Sequence, residues 1–543
     1  MKKCLFLLSV LLMFSCKKEK TTLVNSEVKN DSTAASKEME FKVLDSKFIE
    51  NDSLWKPFQQ ELDAFSEARY SSLLPLVIDK DIPSIQKSVY NGEFSYEELV
   101  LFYLKRIQKY DRENELSLNS VISLNPFVLE QAREKDIQLK NKMLKHPIFG
   151  MPILLKDNIN TKDLPTTAGA VALMNNSTKD AYLVERLKDN GALILGKTNL
   201  SEWAYFFCGD CPSGYSAVGG QTLNPYGRKI LDTGGSSSGS AVAVAANFAV
   251  AAVGSETSGS ILSPSSQNSV VGLKPSIGLL SRGGIIPISS TLDTPGPITK
   301  SVIDNAILLS AMSGRDSSDP ASVKLKAKIS DYYTELEESS LKGKRFGALK
   351  SLMEDSLYVN ALEDLKAAGA EVIVFEAEEI DLPNFLRLLN LDMKKDLPEY
   401  FQKYGGDLEY NSVADIISYN NKDSVMRAPY GQSLFKGVVA DSATAEDFTA
   451  IKDTLYANGK RFFDVPMKEY QLDGILSINN YHAGFAAVAH YPAITVPMGY
   501  SQDKAPEGLT FFAKPLQEAQ LYEWAYNYEK VSKRRKSPEN YQK

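Results

Sequence analysis

The chain has 543 residues, of which 43% are hydrophobic and 24% are charged, and its formal net charge is −7. These values are ordinary for a soluble globular protein, and the length is sufficient for a large core. Basic residues form no broad stretch, so nucleic acid is not expected as a partner. The short basic run at residues 533–536 is interpreted as a solvated tail.

The N-terminus has the pattern of an export signal. Lys2 and Lys3 precede an apolar run over residues 4–14 that is too short to span a bilayer and ends at Ser15-Cys16. This resembles a bacterial lipoprotein signal, which implies cleavage after residue 15, a lipid anchor on Cys16 and a location in the cell envelope. An ordinary cleaved signal and a buried helix remain alternatives. Residues 16–44 are predicted to be a polar tether.

After an N-terminal extension at residues 45–84, helices alternate with short apolar strands. Ser95 and Glu98 form a predicted capping box ahead of apolar residues spaced three and four apart. A strand-like run over residues 147–155 ends at Lys156, and residues 181–197 and 361–375 each pattern as helix, glycine turn and strand. This alternation predicts a covered, largely parallel or mixed sheet. Residues 320–465 are more charged and are predicted to be a helical insertion or cap.

Only Cys208 and Cys211 remain once Cys4 is cleaved away and Cys16 is lipidated. A lone Cys-x-x-Cys pair is a weak signal, because structural zinc would require a second pair. A structural disulfide, free thiols and a redox or metal role all remain open for this pair.

Residues 232–263 place two loops rich in glycine and serine on either side of small apolar residues, among which Asn247 is the only polar one. A flexible linker would also be rich in glycine and serine. Linkers join domains, however, whereas this loop runs into an Ala/Val segment suited to a buried helix. Loops held on rigid scaffolding often carry catalytic groups, so a catalytic site is predicted here.

Other hydrolytic chemistries are poorly supported. A Ser-His-Asp triad would need His146, His482 or His490, and the chain has no convincing Gly-x-Ser-x-Gly elbow. No His-Glu-x-x-His motif or other metal-ligand cluster is present in the sequence, so no metal is expected. Lys156 remains as a candidate base, since burial disfavours the charged ammonium. A surface lysine, or one paired with Asp157, is the alternative.

Several blocks resemble the amidase signature family. The three principal ones are Gly150-Met-Pro-Ile-Leu-Leu-Lys-Asp-Asn, Gly234-Gly-Ser-Ser-Ser-Gly-Ser and Gly254-Ser-Glu-Thr-Ser-Gly-Ser-Ile, with further matches at residues 196–203, 220–226, 272–275, 293–297 and 491–500. The resemblance implies a domain over residues 85–538 with a signature core at 145–310. It also implies an α/β fold, a central mixed twisted sheet covered on both faces by helices. The implied activity is cofactor-free hydrolysis of a carboxamide to a carboxylate and ammonia or an amine.

The family's catalytic roles carry over by position. Ser260 is the implied nucleophile, Ser236 the bridging serine and Lys156 the general base. The resemblance also implies a cis peptide bond between Gly235 and Ser236. The N–H groups of Thr257, Ser258, Gly259 and Ser260 are the expected oxyanion donors, and Ser237 is expected to support its loop through hydrogen bonds.

The chain departs from the commoner family pattern in several places, including Glu256 for aspartate and the pair Cys208 and Cys211 in a loop that is usually rich in serine and arginine. Ser258 stands where glycine is usual, Leu262 replaces an arginine, and His490 replaces a glycine. These departures are interpreted as affecting the substrate more than the activity. The block pattern resembles the family's peptide amidases, which implies a small amide or an amidated peptide as substrate.

Two other functions remain as alternatives. The chain could be the amidase subunit of a tRNA-dependent amidotransferase, but the export signal argues against cytosolic partners. It could also be a catalytically inactive envelope lipoprotein that binds a ligand, although the intact Lys156, Ser236 and Ser260 argue against this.

Overall fold

The computed structural model describes residues 38–112, 114–141, 146–323, 331–406 and 408–543. The predicted signal, Cys16 and most of the predicted tether lie outside the described residues. The strands are β1 (Val121–Leu124), β2 (Pro152–Lys156), β3 (Leu193–Thr198), β4 (Tyr215–Ser216), β5 (Gly220–Gln221), β6 (Ala251–Glu256), β7 (Val271–Lys274), β8 (Thr294–Thr299), β9 (Arg345–Leu349), β10 (Glu371–Phe375), β11 (Gly474–Ile478), β12 (Ala493–Tyr500) and β13 (Pro506–Phe512).

The α-helices of the described residues surround these strands. They are α1 (Asn51–Trp55), α2 (Gln59–Ala64), α3 (Glu67–Val77), α4 (Ile82–Tyr90), α5 (Tyr96–Tyr110), α6 (Val128–Lys140), α7 (Tyr182–Asp189), α8 (Ser238–Ala245), α9 (Leu262–Gln267), α10 (Val302–Met312), α11 (Ser356–Ala367), α12 (Phe385–Tyr404), α13 (Val413–Asn421), α14 (Ser424–Arg427), α15 (Ser433–Ala440), α16 (Ala445–Glu469), α17 (Ala483–Val488) and α18 (Glu518–Ser532). The predicted capping box of Ser95 and Glu98 is present at the start of α5.

Eleven strands form one mixed sheet in the order β1-β3-β2-β6-β8-β7-β12-β13-β11-β9-β10, and β4 and β5 pair separately. Near the middle, β2 pairs in parallel with both β3 and β6, whereas β6 and β8 are antiparallel. The side chains of β2 are buried along its whole length, as expected for a strand covered on both faces. The predicted central mixed sheet with helices on both faces is confirmed.

The small apolar run between the two Gly/Ser-rich loops forms α8 and then β6, so its prediction as a helix alone was wrong. Between α8 and β6, Asn247 has a left-handed backbone conformation, with φ 58°. Its polar side chain contacts Asp79, which explains a lone amide in this run. Helix and strand together therefore carry the chain from the Ser236 loop to the Ser260 loop.

The helical part of the predicted insertion is narrower than residues 320–465. Strands β9 and β10 lie within that range, yet both belong to the central sheet, where β9 also pairs in parallel with β11. Among the described residues of this range, helices α12 to α16 follow one another with no strand between them. The more charged composition therefore reflects solvent exposure of this region as well as an insertion.

The basic run at residues 533–536 is docked onto the domain, which corrects its interpretation as a solvated tail. Arg534 pairs with Asp364 at 2.6 Å and Arg535 pairs with Asp79 at 2.9 Å. Among the residues described, no helix combines the length and apolarity needed to cross a membrane.

Replacing Gly239 in α8 tests how closely the helix must approach its neighbours. A Cβ at this position would lie 2.5 Å from the carbonyl oxygens of Ser120 and Asn199, and backbone atoms cannot easily give way. We expect Gly239→Val to lower the free energy of unfolding by about 3 kcal/mol. Urea denaturation would measure the change. Gly437→Ala in α15 is the control, since its nearest neighbour is 3.7 Å away and stability should be unchanged or higher. Equal stability of both variants would contradict this packing argument.

Candidate active site

Lys156 lies at the end of β2, fully buried inside the domain. Successive side chains of a strand point to opposite faces, so Lys156 and Asp157 diverge. Asp157 instead lies 3.3 Å from Lys197 of β3 and accepts a hydrogen bond from the N–H of Thr167. Two alternatives for Lys156, a surface position and pairing with Asp157, are therefore excluded by its burial and by this separate ion pair.

The amine of Lys156 contacts two serines. Its Nζ lies 2.8 Å from Ser236 Oγ, 2.9 Å from Ser255 Oγ and 3.0 Å from the carbonyl oxygen of Ser255. Burial lowers the pKa of Lys156 to about 7, although the carboxylates of Asp293 and Glu256 act in the opposite direction. A lysine with this pKa is partly neutral at physiological pH, and its lone pair can then accept a proton from Ser236.

The Ser236 loop is held by hydrogen bonds of its backbone and of the Ser237 hydroxyl. The peptide bond between Gly235 and Ser236 is cis, as the family resemblance implies, and the Ser236 carbonyl accepts a hydrogen bond from the N–H of Ser201 at 3.1 Å. Ser237 Oγ donates to the carbonyl of Ser255 and accepts from its N–H, at 3.1 and 3.2 Å. Ser237 therefore has the supporting contacts expected of it, and these join its loop to the end of β6.

The loop that carries Ser260 is arranged around Glu256, the last residue of β6. The Glu256 carboxylate accepts hydrogen bonds from the N–H groups of Gly259, Ile261 and Leu262, at 2.7, 2.7 and 3.0 Å. Gly259 has φ 86°, and a Cβ there would lie 2.9 Å from Asn480 Nδ2, so the loop requires glycine at this point.

This arrangement changes the expected set of oxyanion donors. The N–H of Gly259 is already bonded to Glu256, whereas those of Thr257, Ser258 and Ser260 have no acceptor among the described residues. These three N–H groups are therefore the better candidates. Thr257 also contributes a side-chain contact, because its hydroxyl donates to Asp293 at 2.6 Å.

The two predicted catalytic serines differ in exposure. Ser236 and Lys156 are each 0% exposed, whereas Ser260 is 9% exposed. The N–H of Ser237 donates to the carbonyl of Ser260 at 3.1 Å, which brings the two loops together. Ser260 is therefore the member of the predicted triad that a substrate can reach most easily, whereas the other two are fully buried.

A cavity of about 470 Å³ opens beside these loops. Asn158, Ser255 and Thr257 form its wall next to the predicted triad, although Lys156, Ser236 and Ser260 do not line it. Residues 285–288 supply an apolar part of the lining, and α12 supplies Asp396, Tyr400 and Tyr404. Its size is suited to a small organic ligand or the end of a peptide.

The remaining candidates lie outside this cluster. His146 accepts a hydrogen bond from Ile148, His482 contacts Ser477 and stacks on Phe462, and His490 packs beside Tyr456. Cys208 and Cys211 are disulfide-bonded, which favours the first of the three alternatives for this pair. Leu262 is fully buried in an apolar cluster with Phe463 and Tyr491, so an arginine here would lack room and solvent.

Sequence reasoning missed four residues of the site: Asn158, Ser255, Glu256 and Asp293. All four lie within the blocks that carry the family resemblance, and their place in those blocks was the only sequence signal that could have pointed to them. Their roles depend on which backbone groups they reach, and spacing along the chain does not reveal this. Asn158, for example, donates to Ser255 Oγ at 2.9 Å and so orients a contact of Lys156.

Replacing Glu256 tests the arrangement of the Ser260 loop. We expect Glu256→Gln to destabilise the protein by about 1–3 kcal/mol, because a carboxamide has one acceptor oxygen for three N–H donors. Amide hydrogen exchange should become faster at residues 259–262. The control is Glu202→Gln, since Glu202 is buried, accepts one backbone N–H, and burial raises its pKa well above the usual range. Unchanged exchange in Glu256→Gln would contradict the assigned contacts.

Comparisons with known proteins cover most of the chain. The family model for Amidase matches residues 98–440. A probable amidase of Arabidopsis thaliana is 36% identical over 494 residues, covering 87% of this chain and 94% of its own length. An amidase family protein of Bacillus anthracis has a crystal structure that is 38% identical with a TM-score of 0.87, covering 93% of this chain and 100% of that one.

The native peptide amidase of Stenotrophomonas maltophilia is 39% identical with a TM-score of 0.80, covering 85% of this chain and 98% of its own. Amidotransferase A subunits are also among the relatives. Matches over most of the chain, both in sequence and in three dimensions, cannot arise from a shared core motif alone. The chain therefore belongs to the amidase family, whose members hydrolyse the C–N bonds of amides.

Proposed function

We propose that this protein is a lipid-anchored amidase that uses Ser260 as nucleophile, Ser236 as proton bridge and Lys156 as general base, without a cofactor. The observation that carries the proposal is the contact of the buried Lys156 amine with Ser236, combined with the 9% exposed fraction of Ser260, against 0% for the other two residues. A buried amine with a pKa of about 7 can accept a proton near neutral pH, which an ordinary lysine cannot.

The acylation step uses each group once. Neutral Lys156 takes the proton of the Ser236 hydroxyl, Ser236 takes that of Ser260, and Ser260 Oγ forms a bond to the amide carbon. The negative charge on the carbonyl oxygen is stabilised by N–H groups from the set Thr257, Ser258 and Ser260, each donor contributing about 3 kcal/mol. The C–N bond then breaks, and the proton held by Lys156 returns through Ser236 to the leaving nitrogen.

Deacylation repeats the same relay with water. A water molecule gives a proton to Ser236 and attacks the ester carbon, and the ester bond to Ser260 breaks as that serine regains its proton. The products are a carboxylate and ammonia or an amine. Because no step requires a metal or an organic cofactor, the described side chains are sufficient for the proposed reaction.

A small carboxamide or an amidated peptide is the proposed substrate. The similarity to a peptide amidase and the cavity of about 470 Å³ beside the Ser260 loop support this choice. An amidotransferase subunit would instead pass its ammonia to a partner protein. Release of free ammonia by the purified chain alone would favour the hydrolase.

A serine-reactive fluorophosphonate probe tests the proposed triad. We expect the probe to modify Ser260, and Lys156→Ala to abolish this labelling and lower kcat/KM on an amide panel by about 100- to 10,000-fold. Peptide mapping by mass spectrometry would locate the adduct. Ser263→Ala is a matched control, since this neighbouring serine has no proposed role and labelling should persist. Labelling at another residue, or none in the unmodified protein, would refute the triad.

We also propose that Cys16 carries the lipid anchor, on the basis of the N-terminal sequence pattern. In a bacterial host supplied with an alkyne fatty acid, we expect the full chain to be labelled and to sediment with membranes. Cys16→Ala should abolish both effects, whereas Cys4→Ala should retain them because Cys4 lies in the part to be removed. Labelling that survives Cys16→Ala would contradict lipidation at this residue.

A further inference from the structure

Asp293 is a partly buried carboxylate that the proposed proton relay does not use, yet it contacts two separate parts of the site. Its Oδ1 accepts the hydroxyl hydrogen bond of Thr257 at 2.6 Å, and its Oδ2 accepts the N–H groups of Ile288 and Ser289 at 2.8 and 2.9 Å. Thr257 belongs to the Ser260 loop, whereas residues 288 and 289 form part of the cavity wall. Asp293 therefore joins the nucleophile loop to the wall of the cavity.

The wall is also held from its other side by α12. Asp392 accepts a hydrogen bond from the hydroxyl of Ser289, and Asp396 accepts one from the N–H of Ser290. Both carboxylates are buried, one helical turn apart, and lie on the face of α12 that packs against residues 289–290. Residues 288–290 are therefore held by Asp293 and by α12 together. These contacts restrict how far Asp293 can move relative to Thr257.

Asp293 also acts on the amine electrostatically. Among the described residues, the carboxylates of Asp293 and Glu256 both raise the pKa of Lys156 against the larger lowering by burial. Glu256 is also faced by Lys274, and Asp293 by Arg282, which is itself paired with Asp319 at 2.7 Å. Burial raises the pKa of Asp293, while its three hydrogen-bond donors and Arg282 favour its ionised form.

We propose that Asp293 is a positioning residue of the amidase site, whose carboxylate joins the Ser260 loop, through Thr257, to residues 288 and 289 of the cavity wall. This inference rests on the proposed function, because it requires the Ser260 loop to carry the nucleophile and Lys156 to act as the base. The hydrogen bond to Thr257 and the charge of the carboxylate can be tested separately.

Asp293→Asn removes the charge while it preserves the shape. The amide oxygen can still accept from residues 288 and 289, and the amide nitrogen can donate to the hydroxyl of Thr257. In the unmodified enzyme, kcat/KM should fall below about pH 7 as Lys156 becomes protonated. In Asp293→Asn this acid limb should move to lower pH, because the ammonium form has lost a stabilising carboxylate. Thermal unfolding would verify that the variant is folded.

Thr257→Val provides the complementary change, since it removes the hydrogen bond and leaves the charge in place. We expect kcat to fall by about five- to tenfold with the acid limb unmoved. Thr257→Ser keeps the hydroxyl and should recover most of the lost rate. A purely structural role for Asp293 would not produce this division between rate and pH dependence.

The outcomes separate this inference from the proposed function. An unmodified protein without amidase activity refutes the function itself. An active enzyme whose Asp293→Asn acid limb coincides with that of the unmodified protein, or moves to higher pH, refutes the electrostatic role. Failure of Asp293→Asn to fold, or an unaffected rate in Thr257→Val, would likewise overturn the proposal, because Asp293 would then serve only the fold or not reach the loop.

Discussion

Burial of the Lys156 amine is the constraint on which the rest of the site depends. An ammonium group loses its hydration when it is placed inside a domain, and the neutral amine becomes the favoured form unless a counter-ion is close. Here the adjacent carboxylate, Asp157, forms an ion pair with Lys197 of the neighbouring strand. Lys197 therefore has a counter-ion in contact, whereas Lys156 has none among the described residues. Lys156 is left facing serine hydroxyls, with carboxylates acting on it only from a greater distance.

The two serine loops are brought to this amine by the segment between them. Helix α8 and strand β6 consist of small residues, so the helix can approach its neighbours closely and the strand can lie beside β2 in the sheet. Ser237 then ties the first loop to Ser255 and to Ser260 through separate groups. The cluster is thus held by backbone contacts between buried elements, which gives the side chains little freedom to drift from the amine.

The signature core and the helices after it contribute different parts of the site. The core provides the predicted triad, the Ser260 loop and part of the cavity lining, whereas α12 provides another part of that lining. Contacts of Asp392 and Asp396 with residues 289–290 show that this helix also supports the core side of the cavity. Changes in α12 can therefore alter both the shape available to a substrate and the support of the catalytic loops.

The amino-acid sequence was sufficient for the family and for the sheet with its covering helices. The catalytic roles of Lys156, Ser236 and Ser260 stay predictions, which the 2.8 Å contact of Lys156 Nζ with Ser236 Oγ supports. Continuous apolar strands and ordered glycine–serine blocks are local patterns, so they can be recognised without coordinates. The division of the apolar run into α8 and β6 was not predicted, because Ala and Val suit both states when buried. The docking of residues 533–536 was also missed, since composition alone favours solvent for a basic run.

Tertiary structure alone decided how the predicted catalytic groups lie relative to one another. Lys156 and Ser236 are 80 positions apart in the chain, and only the packing of β2 against the loop before α8 places them 2.8 Å apart. The same holds for Glu256 and Asp293, whose importance comes from the backbone N–H groups and the hydroxyl that they reach. A residue's type and spacing limit which chemistry it can perform, but its protonation, exposure and partners depend on neighbours from distant parts of the chain.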